Sequence, residues 1–88
     1  MILRRHKHFK KDELKGKLTD DQYAKKIKYL SLILKNEPLP PEALDHALTG
    51  EYKEFREFHL AGDMLIIYTV VDNVLYLQRM GTHSQLFK

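Results

Sequence analysis

Residues 64–80 read MLIIYTVVDNVLYLQRM and give the clearest indication of architecture in this chain. The run 64–71 is almost continuously apolar, which predicts a central strand covered on both faces. Asp72 and Asn73 tolerate positive φ and therefore predict a two-residue hairpin turn. Residues 74–80 alternate as a second strand should. The stretch therefore predicts an antiparallel hairpin within a small sheet.

The alternation places Arg79 on the same face of the second strand as Leu75 and Leu77. A charge among apolar side chains is costly unless a cleft or an anion receives it. We therefore expect Arg79 to meet a cleft or a bound anion near the strand end. Neutralisation by Glu54 or Glu57 across the sheet is the alternative.

Two further strands complete the predicted sheet. The aromatic-rich run 52–60 reads as a strand that extends the hairpin into a meander. The short apolar start, residues 1–5, reads as an edge strand. The 88 residues form one domain (1–88) with a small core. The expected fold class is α+β, with an N-terminal strand, a two-helix hairpin and a three-stranded antiparallel meander packed on the helices.

The two helices are predicted between the first strand and the meander. Residues 8–15 form the first, which Gly16 ends. Thr19 and Gln22 are spaced as a capping box that begins the second, and Asn36 can end it in a left-handed conformation before the prolines. One apolar stripe should face the core, made of Tyr23, Ile27, Leu30 and Leu34.

Positive charge is concentrated in the first part of the chain. Residues 1–36 hold eleven Lys and Arg against four Asp and Glu, whereas residues 37–88 hold four against eight. The basic part would attract a polyanion such as RNA, or an acidic protein segment; a solvated helix surface is the alternative. The lysines that we expect to make such contacts are Lys10, Lys11, Lys15, Lys25 and Lys28.

Composition excludes several other classes of protein. The chain has no cysteine, and therefore neither a disulfide nor a cysteine-based zinc site. No apolar run reaches the roughly 18–20 residues needed to span a bilayer, and the N-terminus lacks the apolar segment of a secretory signal. We expect a cytoplasmic protein without a membrane partner.

The second half of the chain carries residues suited to metal-free cleavage of RNA. Such cleavage needs a base for the 2′-hydroxyl, an acid for the leaving oxygen and a cation for the phosphorane. Histidine suits the first two tasks because its unperturbed pKa is about 6.5. Arginine suits the third because its planar fork matches phosphate oxygens. The candidate catalytic residues are His46, His59, Asp63, Arg79 and His83.

Each candidate also has a structural interpretation. His46 could be an ordinary loop residue, and His59 could hydrogen-bond Asp63 across a turn. His83 could belong to a solvated tail, and Phe87 could close the core. The functional interpretation gains weight because several such residues occur together.

Three motifs make the chain recognisable as a relative of a known family. They are DHALTG at 45–50, FREFHLAGD at 55–63 and RMGTHSQLF at 79–87. In this order they resemble the YafQ-type toxins of the RelE/ParE superfamily, over essentially the whole chain. The resemblance implies a toxin of a bacterial type II toxin–antitoxin system. It would be a ribosome-dependent mRNA endonuclease without a cofactor, held inactive by a cognate antitoxin, and would reach operator DNA only through the antitoxin complex.

The resemblance also implies roles for the candidate residues. His83 would be the general acid, and the base would be either His46 or His59. Asp63 would orient or charge a histidine, and Arg79 would stabilise the phosphorane. The remaining predicted substrate contacts are Phe87, Arg56 and Lys53, with Phe87 stacking on a base.

The sequence departs from the family pattern at two positions. Tyr52 stands where relatives often carry Trp, and Met64, which follows Asp63, stands where some relatives also carry Trp. Both departures weaken any expectation of base stacking there. Two other functions remain open. A ParE-like toxin of the same architecture would target DNA gyrase, although such inhibition needs no set of histidines. A non-catalytic co-repressor would act with its antitoxin on operator DNA.

Overall fold

The computed structural model describes residues 1–87 and has the predicted α+β class. A five-stranded sheet of order β1-β5-β4-β3-β2 forms its centre. Neighbouring strands are antiparallel except for β1, which runs parallel to β5 at one edge. The elements are β1 (Ile2–Arg5), α1 (Lys7–Lys15), α2 (Asp20–Leu34), β2 (His46–Ala47), β3 (Arg56–Ala61), β4 (Met64–Val71), β5 (Val74–Thr82) and α3 (His83–Leu86).

The predicted hairpin is confirmed, with β4 at the centre of the sheet. Asp72 and Asn73 both have positive φ, 50° and 62°, as a type I′ turn requires. Side chains of β4 point alternately into two cores. Phe58, Ile66 and Leu77 lie in the larger core beneath α1 and α2, whereas the smaller core on the opposite face is formed by Leu65, Ile67 and Leu86.

Two strand predictions need correction. The strand predicted from residue 52 begins only at Arg56, because Gly50–Tyr52 forms a 3-10 turn in which Gly50 has a φ of 69°. A fifth strand, β2, was not predicted. Its two residues pair with the start of β3, His46 opposite Glu57 and Ala47 opposite Arg56. A strand of two residues has no detectable sequence period.

Both helices form at the predicted places. Gly16 follows α1 and donates its N–H to the carbonyl of Asp12. Thr19 and Gln22 form the predicted capping box. Asn36 has a φ of 59°, and the N–H groups of Asn36 and Glu37 bond to the carbonyls of Ile33 and Leu32, as in a Schellman motif. Within residues 1–87, no helix is long and apolar enough to cross a membrane.

The apolar stripe predicted for α2 was wrong in part. Tyr23 and Ile27 are 53% and 57% exposed, whereas Tyr29 and Ile33 are buried. The inward face also includes polar side chains: Gln22 donates to the carbonyl of Ala61, and Lys26 binds Glu13. The hydrophobic pattern did not predict this face because Gln22 and Lys26 turn inward only where the folded chain supplies partners for them, Ala61 and Glu13.

A β-bulge in β5 changes the face on which Arg79 lies. Ile67 pairs with Arg79 but the next residue, Tyr68, pairs with Leu77, so Gln78 has no opposite partner. The alternation therefore shifts by one residue. Arg79 shares a face with Ile67 and not, as predicted, with Leu77.

Candidate active site

One row of side chains crosses the sheet on the face opposite α1 and α2. His46 pairs with Glu57, Glu57 with Ile67, and Ile67 with Arg79. Residues opposite each other in a sheet point to the same side. His59 lies two residues beyond Glu57 and therefore shares this face. Four strands thus bring together two histidines, a carboxylate and a guanidinium from distant parts of the sequence.

Glu57 is the centre of the site, and its side chain is only 2% exposed. Its Oε2 lies 2.9 Å from Nε2 of His59, 3.5 Å from Nε2 of His46 and 3.7 Å from Nε2 of His83. A buried carboxylate is costly without such partners. Glu57 was considered only as a partner for Arg79. Its position two residues before His59 on a strand could have revealed it.

His83 is held by a second carboxylate. Its Nδ1 lies 3.0 Å from Oδ1 of Asp63, which leaves Nε2 on the side of Glu57. His83 is the first residue of α3, and a capping box formed by Thr82 and Gln85 fixes the start of that helix. The structure therefore pairs Asp63 with His83. The alternative of an Asp63–His59 hydrogen bond was wrong.

His46 is oriented by the backbone. Its Nδ1 lies 2.7 Å from the carbonyl oxygen of Leu44. Because a carbonyl can only accept, Nδ1 must carry the proton, and the neutral ring then has its lone pair on Nε2. His59 differs, since its Nε2 donates to Glu57 at 2.9 Å. Both histidines therefore direct Nε2 towards Glu57, but this nitrogen is a donor in His59 and carries the lone pair in neutral His46.

Asp45, the residue before His46, belongs to a hydrogen-bonded network with Tyr68 and Arg56. Oδ1 of Asp45 accepts from the hydroxyl of Tyr68 at 2.8 Å and from Nε of Arg56 at 3.1 Å. Burial, with a further contribution from Asp45, raises the pKa of Tyr68 well above its ordinary value, so the phenol stays a donor. The network anchors the segment that carries His46.

This network predicts a stability effect that can be measured. The Tyr68→Phe variant should lower the free energy of unfolding by about 1–3 kcal/mol, because the partly buried carboxylate of Asp45 loses one of its two donors. Urea denaturation of this variant and of Tyr76→Phe, at an exposed tyrosine, would test the effect. Equal losses in both variants would show that the Asp45 contact contributes little.

The structure does not bring Arg56 and Lys53 to the histidines. Arg56 points to the face of β3 opposite that of Glu57. With Lys53 and Asp45, it lines a separate open groove of about 620 Å³. The salt bridge with Asp45 raises the pKa of Arg56, against the opposing effect of burial. Arg56 therefore supports the loop that carries His46.

Arg79 is fixed by a carboxylate that sequence reasoning missed. Asp12 of α1 accepts from its Nε at 2.8 Å and from its Nη2 at 3.3 Å, and also from the backbone N–H of Met80 at 2.9 Å. The hydrogen bond to Asp12 raises the pKa of Arg79, while partial burial opposes the rise. The alternative partners, Glu54 and Glu57, were wrong. The separation of 67 residues gives no local signal for the pair.

Aromatic rings lie beside His83. The ring of Phe87 is 5.6 Å from that of His83 and 5.7 Å from that of Tyr52, and Phe87 is 37% exposed. Its neighbour Leu86 is the residue that enters the smaller core. Phe87 and Tyr52 line an open cavity of about 260 Å³. The ring of Phe87 therefore lies beside the imidazole of His83 and remains partly open to solvent.

The basic residues differ in their surroundings. Lys25 pairs with Asp21 at 3.3 Å, one turn away on α2. His6 accepts the N–H of His8 and caps α1. The other predicted contact lysines are exposed on the two helices, at Lys10, Lys11, Lys15 and Lys28.

Part of the histidine cluster also has the geometry of a metal site. Glu57, His59 and His83 each offer one ligand atom, and these atoms lie within 4.8 Å of one another. Imidazole nitrogen and carboxylate oxygen are ligands that Zn²⁺ accepts, and imidazole also suits Cu²⁺. The same three residues could therefore hold a metal ion or act as acid–base groups.

Comparison with known proteins places the chain in a family. A profile described as bacterial toxin of type II toxin–antitoxin system, YafQ, matches residues 1–88. The chain belongs to the YafQ family. The predicted family is therefore confirmed. The mRNA interferase toxin YafQ of Escherichia coli K12 is 42% identical over 64 residues, which cover 70% of each chain.

Solved YafQ structures share the whole fold. The crystal structure of YafQ from E. coli BL21(DE3) has a TM-score of 0.86 and 29% identity, covering 98% of this chain and 97% of the other. YafQ in an E. coli DinJ–YafQ complex has a TM-score of 0.84 and 30% identity, at the same coverage. A copper-bound mutant toxin from Helicobacter pylori has a TM-score of 0.83 and 38% identity, covering 98% of both chains.

Proposed function

We propose that this chain is the toxin of a type II toxin–antitoxin pair and cleaves mRNA by metal-free acid–base chemistry. One observation carries the proposal: three imidazoles surround Oε2 of a single buried carboxylate, Glu57. Such a set can exchange protons near neutral pH. Relatives named mRNA interferases support the choice of RNA as substrate.

The arrangement of the rings favours His46 as base and His83 as acid. The ring of His59 lies between them, 6.4 Å from that of His46 and 5.5 Å from that of His83. In-line displacement places the attacking and leaving oxygens on opposite sides of phosphorus, and the two outer histidines match those sides. His46 also presents the lone pair of Nε2, whereas Nε2 of His59 is already a donor to Glu57.

The proposed reaction requires no reactant other than the RNA itself. The 2′-oxygen attacks the adjacent phosphorus while His46 takes its proton. The bond between phosphorus and the 5′-oxygen breaks, and His83 protonates that oxygen. The products are a 2′,3′-cyclic phosphate and a 5′-hydroxyl end. Arg79 and the N–H groups of the histidines would stabilise the negative charge that develops on the phosphorane.

Glu57 and the aromatic residues complete the proposed mechanism. The negative charge of Glu57 stabilises the imidazolium that forms when His46 accepts a proton. Phe87 stacks on a base next to the scissile phosphate, and Tyr52 supports its ring by an edge-to-face contact. Neither Lys53 nor Arg56 takes part in this scheme, because both lie at the separate groove.

The partners follow from the same proposal. We place the toxin on the ribosome in the cytoplasm, where mRNA is threaded single-stranded, and we expect an antitoxin to inhibit it. The DinJ–YafQ complexes of E. coli support the second point. A gyrase-directed toxin would not need the histidine cluster, and a pure co-repressor would not need it either.

The direct test uses a DNA oligonucleotide that contains one ribonucleotide. Cleavage should occur only after that nucleotide and should leave a cyclic phosphate, which mass spectrometry can identify. In parallel, ribosomes programmed with mRNA should show new 5′ ends by primer extension. DNA damage without new mRNA ends would instead favour gyrase as the target.

Metal ions offer a further prediction. If cleavage is metal-free, chelation by EDTA should leave it unchanged, whereas Cu²⁺ or Zn²⁺ should inhibit by binding to the ligand atoms of Glu57, His59 and His83. The test is cleavage at increasing Cu²⁺, followed by rescue with EDTA. The copper-bound relative motivates the choice of ion. Loss of activity in EDTA alone would contradict the metal-free mechanism.

A further inference from the structure

A basic cleft runs from the start of α3 along β5 and α1. Its first part, of about 320 Å³, lies between the C-terminal end of α1 and the residues Thr82 and Gln85, which flank His83 in the sequence. Its second part, of about 210 Å³, continues along α1 to His8. Asp12, Lys15 and Arg79 line both parts, which therefore adjoin each other. We call it the α1 cleft.

The α1 cleft is positively charged. Asp12, the carboxylate among its lining residues, is already paired with Arg79. Lys11, Lys15 and Lys17 are exposed and have no carboxylate partner within residues 1–87. The pKa of His8 at the far end is lowered, by desolvation and then by His6, Arg79 and neighbouring lysines. Three unneutralised lysines beside a fixed guanidinium form a surface for a chain of phosphates.

The position of the cleft fixes which part of the RNA it can hold. Thr82 and Gln85 bring its near end to the base of α3, next to His83. In the proposed mechanism, His83 protonates the leaving 5′-oxygen, which belongs to the nucleotide on the 3′ side of the cut. We propose that the α1 cleft binds the phosphodiester backbone of the mRNA on the 3′ side of the scissile phosphate, through Lys11 and Lys15. This inference rests on the proposed function.

The experiment compares oligonucleotides that are extended on one side only. Each contains one ribonucleotide in DNA and carries several deoxynucleotides either on the 3′ or on the 5′ side of the cut. The Lys11→Gln/Lys15→Gln variant should bind the 3′-extended substrate about tenfold more weakly at physiological salt. Its salt slope, the change of log K with log salt concentration, should fall by about 1.4, since each single-strand phosphate contact contributes about 0.7. The 5′-extended substrate should behave as with the wild type.

The matched control removes the same charge elsewhere. Arg4 and Lys35 are exposed and do not line the α1 cleft, so Arg4→Gln/Lys35→Gln should bind both substrates like the wild type. Equal weakening of both substrates by the Lys11/Lys15 variant would overturn the inference. So would wild-type RNA affinity combined with weaker binding of an acidic peptide, which would assign the lysines to a protein partner.

A second readout separates this inference from the proposed mechanism. Binding of the all-deoxy versions of the same oligonucleotides, measured by fluorescence anisotropy, requires no cleavage. If the wild type cuts no RNA while the lysine variant still binds the 3′-extended strand more weakly, that result contradicts the proposed mechanism but supports the role of the α1 cleft in binding. If the wild type cuts RNA and the lysine variant binds both strands like the wild type, the proposed mechanism is supported and the role of the α1 cleft in binding is contradicted.

Discussion

The His83→Ala variant should lose RNA cleavage by roughly 10²- to 10⁴-fold, the usual contribution of one general acid. The loss should appear mainly in kcat, because His83 acts on the leaving oxygen in the transition state. The side chain is 48% exposed, and within residues 1–87 its ion-pair partners are the carboxylates Asp63 and Glu57. The fold should therefore survive, since Thr82 and Gln85 still cap α3.

Single-turnover cleavage with the enzyme in excess would measure the chemical step without product release. The control is Ser84→Ala, at the next position of α3, which should retain near wild-type kcat. Circular dichroism would confirm that both variants are folded. A His83→Ala protein with wild-type kcat would remove His83 from the proposed mechanism.

The Glu57→Gln variant should separate stability from activity. The amide keeps the size of the side chain but removes a negative charge that is buried at the centre of the site. Cleavage should fall by roughly 10²- to 10⁴-fold, as when an amide replaces the carboxylate that orients a catalytic histidine. The melting temperature should be unchanged or higher, because burying a carboxylate costs more than burying an amide.

Thermal denaturation and cleavage should be measured on the same preparation of Glu57→Gln. The Glu54→Gln variant removes one charge at an exposed position nearby and should change neither quantity much. A large drop in melting temperature with wild-type cleavage would mean that Glu57 serves the fold alone. Loss of both would leave its chemical role to be judged from Glu57→Asp, which keeps the charge.

Much of the fold was predictable because its signals are local. The apolar run of β4, the Asp72–Asn73 turn and the capping box at Thr19 each depend on neighbouring residues, and all three formed as predicted. The buried face of α2 and the position of β2 were missed. Both depend on partners far away in the sequence, such as Glu13 for Lys26 and Glu57 for His46.

The same distinction applies to the candidate site. The three histidines and Asp63 were identified from motifs, and the structure brings His46, His59 and His83 around one point. The carboxylate at that point, Glu57, was not identified. A glutamate on a strand ordinarily faces solvent, whereas this one is buried where His46, His59 and His83 surround it. Asp12 was missed for the same reason, because its partner comes from the other end of the chain.

The bulge at Gln78 divides β5 into two segments, and the side chains of one segment alternate between the two faces out of step with those of the other. The segment next to the turn keeps Leu75 and Leu77 in the larger core, while the segment after the bulge places Arg79 on the face of the sheet that carries the histidines. Residues added in pairs at the hairpin tip would lengthen the ribbon without rotating the guanidinium. Deletion of Gln78 alone would leave Leu77 opposite Tyr68 and Arg79 opposite Ile67 in a regular ladder, so Arg79 would keep its face. The extra residue therefore lets Leu77 and Arg79, only two positions apart, serve opposite faces of the same strand.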